Sequence, residues 1–72
     1  MSVLTTIRIT VNGQPRSVAA DSSVASLLGE LDLQPIRVAV EINEDLVPRK
    51  QFGDTTLHDG DRVEIVTFVG GG

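Results

Sequence analysis

Residues 21–42 read "DSSVASLLGELDLQPIRVAVEI", and the hydrophobic period changes partway through this stretch. In its first half, apolar residues recur at helical spacing, which predicts one short amphipathic helix after a polar cap at positions 21–23. Pro35 then ends the helical pattern, and apolar residues alternate with period two, which predicts a strand. The predicted helix stripe is Val24, Leu27, Leu28 and Leu31, and the inward side of the predicted strand is Ile36, Val38, Val40 and Ile42.

The residues before this stretch predict a β-hairpin over 3–19. The segment "VLTTIRITV" alternates apolar and polar residues, with Ile7 and Ile9 among those expected to face the core. Asn12-Gly13 favours a two-residue turn, because both central positions of a type I′ turn need positive φ. Pro15 lacks an N–H and is therefore expected on an edge strand.

The residues after it predict three further features. "NED" turns the chain into a short strand, "LVPR", and Pro48 again favours an edge. Phe52 and Leu57 are expected to anchor an irregular segment in the core. "DGD" at 59–61 then forms a turn before a last strand, "RVEIVTFV", at 62–69.

The resulting order is β-β-α-β-β-β, an α+β pattern in which one helix covers one face of a mixed five-stranded sheet. This arrangement is the β-grasp, or ubiquitin-like, fold. We expect one domain over residues 1–69 and a flexible glycine tail over residues 70–72.

Composition narrows the classes of function. The chain has 72 residues, a net charge of −4 and no cysteine, so thiol catalysis and cysteine-ligated metal are excluded. It has no Lys/Arg cluster for phosphates, so nucleic acid and anionic membrane are unexpected partners, and a basic protein surface is favoured. The first ten residues contain no long apolar run, so the expected location is the cytoplasm.

Residues that could carry catalysis are scarce. His58 is the only histidine and lies in a turn-rich loop, where we expect it to be solvated. The acidic residues at 44–45 and at 59 and 61 are typical of turns and too few for a calcium loop. No glycine-rich phosphate loop is present. We therefore expect no catalytic residue, no metal and no bound cofactor.

The glycines that end the sequence, Gly70, Gly71 and Gly72, allow two interpretations. They can be a frayed terminus. Alternatively, a segment without side chains can enter a narrow slot and present its last carboxylate to another protein's active site. Composition alone leaves both open.

Two segments resemble the ThiS family of ubiquitin-like sulfur carriers: "VAVEINEDLVPRKQF" (38–52) and "LHDGDRVEIVTFVGGG" (57–72). The helix resembles that family more loosely, and the third terminal glycine departs from its usual pair. The resemblance implies that the chain is a carrier and not an enzyme. An ATP- and magnesium-dependent adenylating enzyme would activate Gly72, a persulfide donor would supply sulfur to form a thiocarboxylate, and a thiazole synthase would accept that sulfur in thiamine biosynthesis.

The last strand also suggests a surface for those partners. Val63 and Ile65 should face inward, so Glu64, Val66 and Phe68 should face outward, and together with Val69 they form a candidate docking site next to the tail. Acidic residues would flank this site and orient it against basic partners. In the alternative interpretation, the strand twists and Phe68 covers the edge of the core.

Three other functions stay open. The small subunit of molybdopterin synthase is a similar thiocarboxylate carrier, although it usually has a proline-containing run before its glycines, which "VTFVGGG" lacks. A ubiquitin-like modifier would use the same terminal residue to join target lysines. A plain interaction module would not need the tail.

Overall fold

The computed structural model describes residues 5–68. It contains the secondary-structure elements that the sequence predicts, in the predicted order, with two short 3-10 turns at Pro35–Arg37 and Arg49–Gln51. The elements are β1 (Thr6–Val11), β2 (Gln14–Ala19), α1 (Val24–Glu30), β3 (Val38–Ile42), β4 (Asp45–Val47) and β5 (Arg62–Thr67).

The five strands form one mixed sheet in the order β2-β1-β5-β3-β4. The last strand in the sequence is therefore the central strand of the sheet. It pairs in parallel with β1 and antiparallel with β3. The two strands for which proline predicted an edge position, β2 and β4, lie at the two edges, where a missing N–H breaks no ladder.

The β1–β2 hairpin closes as predicted through Asn12 and Gly13, which have φ of 51° and 82°. The Asn12 side chain has a second role that the sequence did not reveal. Its Oδ1 accepts a hydrogen bond from the Ile65 N–H at 2.8 Å, and its Nδ2 donates to the Ile65 carbonyl at 3.1 Å. The carboxamide thus replaces a strand backbone at this position, and it bonds to β5 beyond the last backbone pair between β1 and β5.

Helix α1 packs on one face of the sheet and has seven residues. Ser23 is its N-cap, and Ser23 and Ser26 bond reciprocally in a capping box. Within residues 5–68, no helix is long and apolar enough to cross a membrane. The core under the helix includes Phe52 and Leu57, as predicted, and its buried members are Ile9, Val18, Val24, Leu27, Leu28, Val38, Val40, Phe52, Leu57, Val63 and Ile65.

One prediction about β3 is wrong. Ile36 was expected to face the core, but it lies in the 3-10 turn before the strand and is 69% exposed. Pro35 occupies the first position of that turn, where its fixed φ favours a helical start and delays the extended conformation until Val38. Strand β5 ends at Thr67, and Val69, like Val3, lies outside the described residues.

Candidate functional site

The face of the sheet opposite α1, called here the outer face, carries the exposed residues that alternation predicts on β5. Val63 and Ile65 are buried on the helix side, and Glu64 and Val66 are exposed on the outer face. Val66 is 61% exposed. The predicted directions of these side chains therefore hold. Their role in docking stays a prediction.

Phe68 follows β5 and is held by the neighbouring strand segment. Its N–H donates to the Arg37 carbonyl at 2.8 Å, so the ladder with the β3 side continues one residue beyond β5. The ring is 50% exposed, and it lines a groove of about 200 Å³ that reaches the buried Phe52. The exposure of Phe68 agrees with its expected outward direction, and the groove that it lines also reaches a core residue.

The sequence analysis missed two apolar neighbours of this ring. Leu46 is 66% exposed, and it lines the same groove as Ala39 and Phe68. Ala39 lies directly opposite Val66 on β3. The signal for Leu46 was weak, since a three-residue strand gives no reliable alternation and only its pairing with Glu41 fixes its direction. We call Ala39, Leu46, Val66 and Phe68 the apolar patch.

Charges of opposite sign lie at different sides of the apolar patch. Glu41 and Glu64 are direct cross-strand neighbours on the outer face, beyond Val66 from Phe68. Arg37 lies beside Phe68, and Arg49 lines the groove. The expectation that acidic residues flank the docking site therefore describes one side of it, and the other side is cationic.

The Arg62 end of β5 is held by a polar network and not by an apolar patch. Asp61 is buried, and its carboxylate accepts from Asn43 Nδ2 at 3.0 Å and from the His58 N–H at 2.8 Å. Asn43 Oδ1 in turn accepts from the Arg62 N–H at 2.9 Å. These bonds assign Asp61 a structural role. His58 is exposed, and residues 5–68 contain no cluster of three or more groups that could hold a metal ion.

The predicted modified residue, Gly72, lies outside the described residues together with Val69, Gly70 and Gly71. The structure nevertheless fixes where this segment begins. It follows Phe68, at the end of the central strand and at the border of the apolar patch. Four residues in an extended conformation span at most about 14 Å, so any partner that acts on Gly72 must come close to this patch.

Comparison with known proteins supports the family that the sequence resembles. The sequence model of the ThiS family matches residues 9–72. The sulfur carrier protein ThiS of Escherichia coli strain K12 is 33% identical over 66 residues, which cover 92% of this chain and 100% of that protein.

A thiazole synthase of Paramagnetospirillum magneticum is 41% identical over 66 residues, but the match covers only 20% of that longer protein. A region similar to this chain is therefore part of a polypeptide that is named as a synthase.

Solved structures agree with the fold. The crystal structure of the thiamine biosynthesis protein ThiS of Geobacter metallireducens has a TM-score of 0.78 and 42% sequence identity, and the match covers 92% of this chain and 100% of that one. It confirms the ubiquitin-like β-grasp. With a family match across most of its length and a full-length relative above 30% identity, the chain belongs to the ThiS family of small sulfur-carrier proteins.

Proposed function

We propose that this chain carries sulfur for thiazole formation in thiamine biosynthesis as a thiocarboxylate on Gly72. The observation that carries the proposal is the placement of the terminal segment. In the sequence the glycines follow Phe68 and Val69, just after the central strand, and Phe68 belongs to an exposed apolar patch.

The chemistry requires an activating enzyme. A carboxylate is a poor acyl donor until one oxygen becomes part of a good leaving group. The Gly72 carboxylate would attack the α-phosphorus of ATP and release pyrophosphate, with magnesium held by the enzyme. The terminal sulfur of a persulfide would then attack the acyl carbon and release AMP. A thiol would reduce the resulting S–S bond, leaving the thiocarboxylate on the carrier.

The chain itself supplies two features that its partner enzymes would use. It provides an acyl terminus without a side chain, so that a narrow active site can close around it. It also provides the apolar patch, in which Phe68 and Leu46 expose apolar surface that a partner can bury. Glu64 and Val66 complete the surface next to them, and Val69 is its proposed continuation.

Thiazole synthase is the proposed acceptor. The support is the longer relative named thiazole synthase, in which a region similar to this chain forms part of one polypeptide. Two modules that must meet for each turnover gain a high effective concentration when they are joined. We propose that this chain meets a separate synthase through the apolar patch.

Mass spectrometry tests the carrier function. The chain is incubated with an adenylating enzyme of the ThiS pathway, ATP, magnesium and a persulfide donor. Its mass should rise by about 16 Da, because sulfur replaces one oxygen at the acyl terminus. A variant without Gly71 and Gly72 should stay folded and gain no sulfur. Conjugates with lysines of other proteins would support a modifier instead, and an unchanged mass in the wild type would contradict the proposal.

Growth without thiamine tests the pathway. Cells whose only copy lacks Gly71 and Gly72 should require thiamine. Normal growth would contradict the thiazole assignment. A requirement for molybdenum cofactor in place of thiamine would assign the chain to molybdopterin synthase.

A further inference from the structure

The cationic side of the apolar patch is unusual in this acidic chain. The chain has a net charge of −4 and six Lys and Arg residues. Within residues 5–68, Arg16 and Arg62 each lie within 4.0 Å of a carboxylate, on Glu30 and Glu44. The other four, Arg8, Arg37, Arg49 and Lys50, have no such partner in the described part of the chain, and all four are exposed. Of these, Arg37 and Arg49 lie next to the apolar patch.

Both of these guanidinium groups are nevertheless oriented. Arg37 Nε donates to Gln34 Oε1 at 3.3 Å, and Arg49 Nε donates to the Pro35 carbonyl at 3.1 Å. Each acceptor is uncharged, so it directs the side chain without neutralising it. A guanidinium has five N–H donors, and these bonds use only the Nε donor. The paired Nη groups are left in the geometry that binds a carboxylate with two hydrogen bonds.

The position of the arginines favours an anion on the partner's surface over an anion on the activated terminus. Arg37 lies at the start of the terminal segment, because its carbonyl accepts from the Phe68 N–H. The Gly72 carboxyl can be as far as about 14 Å away when residues 69–72 are extended. A terminus that extends away into an active site leaves Arg37 and Arg49 behind, at the surface of the domain. Carboxylates on the partner's surface are then the anions that can bind these guanidinium groups.

The opposite charges at the two sides of the apolar patch distinguish the two orientations in which a partner could cover it. Glu41 and Glu64 lie directly opposite one another, an arrangement that costs stability because like charges repel. Arg37 and Arg49 lie at the other side of the apolar patch. A partner that covered the patch the other way round would place its cations on the arginines and its carboxylates on the glutamates. Such mismatches disfavour the reversed orientation.

We propose that Arg37 and Arg49 bind carboxylates on the surface of thiazole synthase, and that this contact fixes the orientation in which the carrier docks. This inference rests on the proposed function. The occupant of the Phe68 groove is then an apolar side chain of the synthase with acidic residues beside it. Arg37 and Arg49 are positioning residues, since they direct the terminal segment without touching the reacting atoms.

Charge reversal tests the proposal. We compare R37E/R49E with R8E/R62E, which makes the same change in net charge at two exposed arginines near the Arg62 end of β5. Binding to a purified thiazole synthase from the same genome is measured at low and at physiological salt. R37E/R49E should weaken binding by about tenfold, mainly through slower association at low salt, since charges at the rim of an interface act on the association rate.

The control should change the affinity by less than about threefold, as for charges outside a contact. R37K/R49K should lose only part of the affinity, because lysine keeps the charge but not the paired donors. Thermal melting checks that each variant is folded. Should R37E/R49E unfold, R37Q/R49Q replaces it, with the same expected direction and a smaller loss.

Equal effects of R37E/R49E and R8E/R62E would overturn the proposal, because net charge alone would then account for them. An unchanged affinity for R37E/R49E would overturn it as well. A wild-type chain that gains sulfur and binds the synthase keeps the proposed function intact in both cases. A wild-type chain that neither gains sulfur nor binds would overturn the function together with this inference.

Discussion

The two ends of β5 differ in the kind of contact that they make. At the Arg62 end, Asp61, Asn43 and the His58 N–H satisfy one another's polar groups and join three segments of the chain. At the Phe68 end, one backbone hydrogen bond to Arg37 holds the chain, and large apolar side chains face solvent. The difference indicates that buried polar bonds are concentrated at one end of the strand and exposed apolar surface at the other.

The largest expected effect on stability is at the Arg62 end. Asp61→Ala removes a buried carboxylate and leaves the Asn43 amide and the His58 N–H without their acceptor. The free energy of unfolding should fall by about 2–3 kcal/mol, as for hydrogen bonds to a charged group. Urea denaturation measures it. Asp59→Ala is the matched control, since Asp59 is exposed and accepts one bond, from the Arg8 N–H. Equal losses would contradict the assignment of Asp61 to the network.

The next largest effect should be a loss of affinity for thiazole synthase, caused by a substitution at the Phe68 end. Phe68→Ala should weaken binding to thiazole synthase by about 2 kcal/mol, as for an aromatic residue at the centre of an interface. Because the ring is half exposed, the free energy of unfolding should change by less than about 1 kcal/mol. Titration calorimetry measures the affinity, and urea denaturation measures the free energy of unfolding. A larger loss of stability than of binding would make Phe68 a core residue and would remove the contrast between the ends.

Asn12 sharpens the comparison because its carboxamide bonds to β5 between the two ends. Asn12→Gly keeps the positive φ of the turn but removes both bonds to Ile65. The free energy of unfolding should fall by about 1–1.5 kcal/mol, since the bonds are partly buried. Hydrogen exchange should speed up more at the Ile65 amide, which donates to Asn12 Oδ1, than at the Val63 amide, which has no bond to that side chain. Unchanged exchange at Ile65 would contradict the role of the side chain.

The smallest expected effect is a gain in stability. Glu44 has φ of 75°, in the region that disfavours residues with a Cβ. Glu44→Gly should raise the free energy of unfolding by about 0.5–1 kcal/mol, because it relieves this strain. Glu44→Ala is the control, since it removes the 3.9 Å contact with Arg62 and keeps the Cβ. If Glu44→Ala raises the free energy of unfolding as much as Glu44→Gly does, the effect is due to the lost charge and not to backbone conformation. Thermal melting separates the two.

The sequence predicted most of the fold because its local signals agreed with one another. Asn12-Gly13, the seven-residue helix and the alternation of Val38 and Val40 each allow one structure, and all three fit the same sheet. Ile36 was wrong because alternation cannot show where a strand begins, and Pro35 started a turn instead. The period was correct and the boundary was not.

The candidate site was predicted only where it lies on a regular strand. Glu64 and Val66 follow from the alternation of β5. Leu46, Arg37 and Arg49 reach the same surface through cross-strand pairing and through bonds to Gln34 and Pro35, and such contacts leave no mark in the local sequence. Sequence reasoning therefore found the apolar half of the surface near the tail and missed its cationic side.

The position of β5 also has a consequence for biosynthesis on the ribosome. Without this strand, β1–β2 and β3–β4 are separate hairpins, since β5 provides the pairing that joins them in the sheet. Isolated two-stranded hairpins are marginally stable in water. We therefore expect the complete sheet to form only after residues 62–67 have left the exit tunnel, and a nascent chain that stalls earlier lacks the Val66 and Phe68 part of the apolar patch.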